Sequence, residues 1–106
     1  MEFIKRRFFF KNNLCGEARY FLGEIVTAPY KLMGTHELAE SVAQNIKNSK
    51  AVLFKNHGAL TVGESLFKAY DRMEVLENLA ELQILLNDIG APRFLGDKEL
   101  SDIDNL

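Results

Sequence analysis

The chain has 106 residues, of which 47% are hydrophobic and 26% are charged, and its formal net charge is −2. This length suits a single small domain, and the composition is typical of a soluble globular protein. The small net charge excludes a global electrostatic drive toward nucleic acid or an anionic membrane. The single cysteine, Cys15, cannot form an internal disulfide, and no apolar run approaches the length of a signal peptide core or a membrane span. We therefore expect a cytoplasmic protein that binds neither nucleic acid nor membranes.

Residues 1–15 form a leader that begins with the basic and aromatic sequence MEFIKRRFFFKNN. One interpretation is a surface that binds nucleic acid or another polyanion, with cations and stacking rings side by side. The other is a leader strand whose phenylalanines cover exposed core. We favour the second interpretation, because a binding patch needs a fold around it and this short stretch shows none.

The first structured segment is predicted to be extended. Residues 18–30, ARYFLGEIVTAPY, are rich in aromatic and β-branched residues and are interrupted by Gly23, which predicts one or two short strands. Pro29 then ends regular pairing.

A helix is predicted next, with Thr35 as its N-cap and Glu37 in its first turn, where the helix dipole favours a carboxylate. It should end near residues 48–50. Its apolar face consists of residues at helical spacing: Leu38, Ala39, Val42, Ala43 and Ile46.

The second half of the chain contains two more strands and a long helix. AVLFK, residues 51–55, reads as a buried strand, and ALTV, residues 59–62, resumes the strand character after an Asn-His-Gly turn. Apolar residues then recur three and four positions apart from Ser65 to Ile89, which predicts an amphipathic helix roughly 37 Å long. The acidic tail, residues 96–106, is expected either to form a short helix from Asp97 or to fray.

This order of elements predicts an α/β fold, because strands and helices alternate along the chain. The strands are few and short, so the core is thin and the sequence looks like part of a domain. We assign residues 1–15 to the leader, residues 16–95 to the α/β unit and residues 96–106 to the tail.

Two stretches of the sequence resemble the C-terminal half of the class II aldolase/adducin family, and within it the L-fuculose-phosphate aldolases. They are APYKLMGTHELAESVA and KAVLFKNHGALTVGESLFKAYDRMEVLENLAEL, within residues 17–95. Their most specific parts are the Ala-Pro-Tyr and Gly-Thr motifs before the first long helix and the Asn56-His57-Gly58 turn after a strand. The order and spacing of these motifs carry the resemblance.

The resemblance implies a three-layer α/β/α sandwich with a mixed or antiparallel sheet, assembled as a homotetramer with active sites between subunits. It implies zinc held by three histidines, two from a His-x-His segment and one from the Asn-His-Gly turn, and it carries over His57 alone as a metal ligand. The implied reaction is Lewis-acid cleavage of a sugar phosphate, such as L-fuculose 1-phosphate, to dihydroxyacetone phosphate and an aldehyde.

The sequence departs from the family upstream of Glu17, where the resemblance requires a phosphate-binding loop, an acid/base glutamate and the His-x-His pair. No histidine precedes His36 in this chain. We therefore expect an N-terminally truncated polypeptide that lacks most of the active site. Catalytic zinc usually has three protein ligands, so we expect neither tight zinc binding nor activity from the chain alone.

Several other residues have competing interpretations. His57 could be a turn histidine held by backbone hydrogen bonds, with Gly58 supplying the freedom that the turn requires. We interpret Tyr30 as a packing residue, whereas Met33 lies in the loop that the resemblance places near the substrate of a neighbouring subunit. Cys15 is interpreted as a bystander, and neither Glu17 nor Glu24 is assigned a role.

Three alternatives to the aldolase remain open from the sequence. The chain could be a non-catalytic assembly module of the adducin-head type, which keeps the fold without the chemistry. It could belong to a related epimerase, decarboxylase or dehydratase. It could also be a degenerate fragment that aggregates through an uncovered sheet edge.

Overall fold

The computed structural model describes residues 11–90 and 92–106. Most of the predicted leader, residues 1–10 with their basic-aromatic run, therefore lies outside the described residues. The elements, in chain order, are α1 (Gly16–Leu22), β1 (Ile25–Ala28), α2 (His36–Ile46), β2 (Ala51–Phe54), β3 (Gly58–Thr61), α3 (Leu66–Ile89) and α4 (Asp97–Asp104).

The three strands form one mixed sheet in the order β1-β2-β3. β1 and β2 run parallel, with Ile25 opposite Ala51, and α2 is the crossover between them. β2 and β3 form an antiparallel hairpin in which Ala51 lies opposite Thr61. The predicted α/β architecture with a mixed sheet is confirmed.

Helices cover both faces of this sheet. The Thr61 hydroxyl donates to the Ala69 carbonyl at 2.7 Å, so the face that carries Thr61 and its partner Ala51 is turned toward α3. Because successive side chains on a strand point to opposite faces, Val52 lies on the other face. α2 packs against β1 and β2 there, and Val52 is fully buried.

The hydrophobic core lies between α1, α3 and the sheet. Its fully buried members come from all three elements: Ala18, Leu22, Ala51, Leu76 and Leu79. On the opposite face of the sheet Val52 is buried, but α2 itself contributes only half-buried side chains to the contact. The molecule is therefore held together mainly on the α3 side of the sheet.

Of the one or two short strands predicted within residues 18–30, one is present after Gly23, and the prediction was wrong for the part before it. Residues Gly16–Leu22 form α1, and only Ile25–Ala28 is a strand. Ala18 and Leu22 are four positions apart and both buried, so they lie on one helical face against α3. Tertiary packing has overridden the β-propensity of the aromatic residues, and Gly23, at φ +61°, ends the helix.

The starts of the two longer helices and the end of α3 follow the predictions, whereas α2 ends at Ile46, before the predicted residues 48–50. Thr35 accepts a hydrogen bond from the Leu38 amide at 3.3 Å and caps α2. Ser65 accepts one from the Lys68 amide at 3.1 Å and caps α3. Gly90, at φ +81°, ends α3 in the left-handed conformation, which costs a glycine little.

The acidic tail forms the helix α4 and packs on α1. The Arg19 guanidinium donates to both carboxylate oxygens of Asp104, from Nε at 2.9 Å and from Nη2 at 2.7 Å. The Leu95 amide donates to the Asn13 carbonyl at 2.8 Å, which ties the start of the tail to the residues before α1. Across residues 11–90 and 92–106, every helix is too short or too polar to span a membrane.

Replacing Leu22 by alanine should destabilise the protein strongly, because this side chain is 1% exposed and fills the contact between α1 and α3. We expect the free energy of unfolding to fall by about 2–5 kcal/mol, the usual range for a buried leucine. Urea denaturation followed by circular dichroism measures this. Leu106→Ala, at a residue that is 84% exposed, is the control and should change stability by less than about 0.5 kcal/mol.

Acid should weaken the contact between the tail and α1. Hydrogen bonds from Arg19 hold the pKa of the Asp104 carboxyl below its usual range, because they favour the charged form. The pair therefore stabilises the fold above about pH 4, the ordinary value for aspartate, and this contribution is lost as the pH falls through the folded-state value.

Asp104→Asn should remove this part of the pH dependence in urea titrations between neutral pH and about pH 2. Asp102→Asn is the matched control, since Asp102 makes one exposed contact of 3.4 Å with Lys98 in the same helix. Equal pH profiles for the two variants would contradict the assignment.

Candidate functional site

The candidate site lies where β1 and β2 end at the same edge of the sheet. Because the two strands run parallel, their carboxyl ends meet there, and residues 29–35 and 55–57 both leave from that edge. The Lys55 amide donates to the Ala28 carbonyl at 3.4 Å, which ties the start of the turn to the end of β1. His57 is thereby held beside the loop that precedes α2.

The turn that carries His57 owes its shape to Asn56. Asn56 has φ +61°, the left-handed conformation that asparagine tolerates better than most residues, and no other non-glycine residue in the described part of the chain has a positive φ. The His57 amide donates to the Phe54 carbonyl at 3.1 Å and closes the turn. The prediction that Gly58 supplies the freedom was wrong, since its φ lies outside the left-handed region.

The imidazole of His57 is supported on one side and open on the other. Its ring stacks on Phe54, with centroids 5.5 Å apart and an angle of 30° between the planes. The residue is exposed, so the ring does not lie in a hydrophobic pocket. Sequence reasoning missed Phe54, although a spacing of three residues across a tight turn was a signal that the two rings would meet.

A complete metal site is not present among residues 11–90 and 92–106. No group of three histidine, cysteine, aspartate or glutamate side chains there is placed to hold an ion. The other histidine, His36, begins α2, with its side chain 89% exposed and its Nε2 3.8 Å from a Glu40 carboxylate oxygen. The described residues therefore provide one candidate ligand, His57, and do not by themselves fit the donor set of a catalytic or structural zinc ion.

The loop that precedes α2 is open to solvent. Met33 is 69% exposed and Leu32 is 60% exposed. Tyr30 is 55% exposed, so its interpretation as a packing residue is wrong for the described chain. An apolar loop of this kind, at the same edge as His57, is available for contact with another polypeptide.

The remaining polar candidates lie away from this edge. The Cys15 thiol donates to the Glu17 carboxylate at 3.0 Å at the start of α1. This bond, together with the Glu17 backbone amide, lowers the pKa of the Glu17 carboxyl. Glu24 is exposed just before β1. The geometry brings neither glutamate to the edge where His57 lies, because α1 ends and β1 begins at the opposite end of the strands.

Replacing Asn56 should show how strongly the turn depends on a left-handed residue. We expect Asn56→Ala to lower the free energy of unfolding by about 1 kcal/mol, because alanine tolerates this conformation less well. Asn56→Gly should be neutral or slightly stabilising in the same urea titration. Asn48→Ala is the control, since Asn48 is also an exposed turn residue but lacks a positive φ; equal losses for both alanine variants would contradict the account.

Comparisons with known protein families and with individual proteins both match this chain to class II aldolases and their relatives. The family model for the class II aldolase and adducin N-terminal domain matches residues 11–84. The L-fuculose phosphate aldolase of Methanococcus maripaludis strain C5 is 38% identical over 77 residues, which are 73% of this chain and 41% of that protein. The 3-oxo-tetronate 4-phosphate decarboxylase of Haemophilus influenzae is 33% identical over 84 residues, covering 79% of this chain and 40% of that protein.

Solved structures agree at the level of the fold. YgbL from Escherichia coli, an aldolase/epimerase/decarboxylase candidate, superposes with a TM-score of 0.81 at 29% identity, covering 88% of this chain and 44% of that one. An L-fuculose 1-phosphate aldolase superposes with a TM-score of 0.72 at 30% identity, covering 81% of this chain and 41% of that one. The chain thus spans less than half the length of the relatives that it matches.

Proposed function

Because the chain belongs to the class II aldolase/adducin family, we propose that it is part of a metal-dependent enzyme that cleaves a carbon–carbon bond in a phosphorylated sugar, with L-fuculose 1-phosphate as the first candidate substrate. The observation that carries the proposal is the placement of His57, an exposed imidazole in an Asn-His-Gly turn at the edge where two parallel strands end. The matches to sugar-phosphate aldolases support the choice of substrate class.

In this proposal His57 supplies one imidazole nitrogen to a zinc ion whose other ligands lie outside the described residues. The ion, when bound, would polarise the oxygens of the substrate as a Lewis acid. The chain's own contribution is to aim the ligand. Phe54 supports one face of the ring, and the backbone bonds of the turn fix its position relative to the sheet.

The proposed enzyme is a cytoplasmic homo-oligomer, a tetramer by analogy with the family, whose site is completed by residues from more than one polypeptide segment. Two observations support this view. The described residues lack a full ligand set, and the loop before α2 exposes Tyr30 and Met33 beside the candidate site. Contact with another polypeptide would bury this loop and enclose the site.

Decarboxylation of a phosphorylated sugar acid is the second candidate reaction. It is favoured by the match to 3-oxo-tetronate 4-phosphate decarboxylase and by the superposition on YgbL. Both candidate reactions break a carbon–carbon bond in a small phosphorylated substrate. Parallel assays separate them, since aldol cleavage releases an aldehyde and decarboxylation releases carbon dioxide.

A non-catalytic assembly module is the candidate from a different class. The incomplete ligand set of the described residues favours it. Sedimentation combined with metal analysis distinguishes it from the enzyme: stable oligomers of the purified protein that contain no zinc and gain no activity when zinc is added would favour assembly.

Grafting tests the proposed role of His57. Residues 11–84 would replace the matching segment of the Methanococcus maripaludis L-fuculose phosphate aldolase, and aldehyde release from L-fuculose 1-phosphate would be measured with added zinc. We expect His57→Ala to lower activity in this chimera by at least about 100-fold. Loss of a residue that only hydrogen-bonds a metal ligand costs up to about 100-fold, and loss of the ligand itself should cost at least as much.

His36→Ala is the matched control and should leave the activity of the chimera unchanged, because the His36 side chain is 89% exposed and its Nε2 lies 3.8 Å from a carboxylate oxygen of Glu40 in the same helix. The chain alone, assayed with zinc, should show no turnover. Activity that persists in His57→Ala, in the chimera or in the chain alone, would contradict the assignment of the ligand.

A further inference from the structure

A cleft of about 270 Å³ opens at the end of the sheet opposite to His57. β2 begins there after Lys50, and β3 ends there before Val62, whereas the turn that carries His57 joins the other ends of these strands. We call this feature the basic cleft. It is lined by side chains from the last turn of α1, from the residue before β2 and from the first half of α3: Tyr20 and Phe21, Lys50, and Lys68, Asp71 and Arg72.

The lining of the basic cleft is positively charged, although the whole chain carries a net charge of −2. Three cations and one carboxylate give the lining a formal charge of +2. Within residues 11–90 and 92–106, neither Lys50 nor Arg72 forms an ion pair. Lys68 lies 3.9 Å from a carboxylate oxygen of Glu64, and an exposed pair of this kind contributes little. A concave surface lined mainly by one sign of charge concentrates counter-ions, so the cleft attracts a small anion.

The backbone of Val62 links two of the cationic residues. Its amide donates to the Lys50 carbonyl at 3.1 Å, and its carbonyl accepts a hydrogen bond from Nη1 of the Arg72 guanidinium. The next residue, Gly63, packs so closely on α3 that an added Cβ would lie 2.8 Å from the Ala69 amide nitrogen. The end of β3 is therefore fixed against the helix. The guanidinium has further N–H donors in a planar fork, which matches the oxygens of a phosphate.

Two aromatic rings lie beside these cations. Tyr20 and Phe21 pack edge to face, with centroids 5.0 Å apart and an angle of 79° between the planes. Tyr20 is 49% exposed and Phe21 is 40% exposed. Exposed rings pack well against a planar apolar group of a ligand, while neighbouring polar groups fix its orientation. The basic cleft therefore suits a ligand that carries both a ring and a negative charge.

The size of the cleft and its one carboxylate narrow the class of ligand. Its volume of about 270 Å³ lies just below the range of roughly 300–1,000 Å³ that is typical for drug-sized molecules, so the ligand is small. The carboxylate of Asp71 weakens the attraction for a long polyanion, but its oxygens accept hydrogen bonds from the hydroxyl groups of a sugar. A nucleoside monophosphate combines a planar base, a sugar with free hydroxyls and one phosphate.

We propose that the basic cleft binds a nucleoside monophosphate or a phosphate monoester of the same build. Lys50, Lys68 and Arg72 bind the phosphate. The two aromatic rings contact the base, and the carboxylate in the lining accepts a hydrogen bond from the sugar.

This site is separate from the candidate metal site and does not rest on the proposed function. Lys50 and Lys55 flank β2 at its two ends, which are about 16 Å apart at the usual rise of a strand. A ligand in the basic cleft and a metal ion at His57 therefore occupy different ends of the sheet, and binding in the cleft needs no zinc.

Titration of the full chain in buffer free of zinc and inorganic phosphate, at low salt, tests the proposal. The probe is adenosine monophosphate, with calorimetry for the dissociation constant and amide chemical shifts for the location. The amides of Lys50, Val62 and Arg72 should shift, whereas those of residues 55–58 should not. Ribose 5-phosphate, which lacks the base, and adenosine, which lacks the phosphate, should each bind about tenfold more weakly.

Single substitutions separate the contributions of charge and ring. Lys50→Gln should weaken binding of adenosine monophosphate about tenfold, because a charged donor is lost. Lys55→Gln is the matched control, since it removes the same charge at the other end of β2, and it should leave the dissociation constant unchanged. Phe21→Leu should weaken binding of adenosine monophosphate about fivefold but leave that of ribose 5-phosphate unchanged. Circular dichroism confirms that each variant is folded.

Three outcomes would overturn the proposal. Absence of shifts at the amides of the cleft would show that adenosine monophosphate does not bind there. Equal affinity for adenosine monophosphate and ribose 5-phosphate, measured on the unaltered protein, would show that the base is not recognised. Equal losses in Lys50→Gln and Lys55→Gln would identify the binding as unspecific attraction to surface charge.

Discussion

Strand β2 is the element on which the other parts of the structure depend. It is paired on both sides, with β1 in parallel and with β3 in antiparallel orientation, and its residues Ala51 and Val52 are fully buried. These two neighbours point to opposite faces, so one meets the core beneath α3 and the other meets α2. A backbone with hydrogen bonds on both sides and helices on both faces cannot shift its register by one residue without exposing one of these contacts. The position of β2 therefore determines where the chain leaves the sheet.

The candidate site follows from this constraint. β2 ends at Phe54, whose ring supports His57 and whose carbonyl accepts the hydrogen bond that closes the turn. The bond from Lys55 to the end of β1 brings the turn next to the loop before α2. One imidazole is thus aimed at an open edge by several short-range contacts. A zinc ion usually has at least three protein ligands, and the part of the chain that the structure describes contains no group of three side chains placed to hold one. In the proposed enzyme, the contribution of this architecture is to hold a single imidazole donor in place.

Much of the fold could be predicted from local chemistry, and the failures have identifiable causes. The periodicity of α2 and α3 is encoded within single helices, so the N-cap Thr35 and the helical span from Ser65 to Ile89 were recognisable in the sequence. Helix α1 was not, because its aromatic residues favour strands and only packing against α3 selects the helix. The exposure of the Tyr30 side chain also could not be predicted from the sequence, because burial depends on neighbours that are distant along the chain. His57 was singled out through its motif, and the spacing of three residues across the turn was an available signal for its stacking on Phe54. The prediction assigned the conformational freedom of the turn to Gly58, but the left-handed residue is Asn56, which adopts this conformation at little cost.

The hairpin formed by β2 and β3 also has a consequence for the order of folding. Its pairing closes a loop of three residues, whereas pairing β1 with β2 requires the whole crossover that contains α2 to be ordered. Closing a short loop costs less chain entropy, so contacts local in sequence tend to form earlier. The corner that bears the imidazole should therefore assemble before the parallel pair joins it. Pulse-labelled amide exchange would disprove this sequence of events if amides of β1 became protected ahead of those in the hairpin.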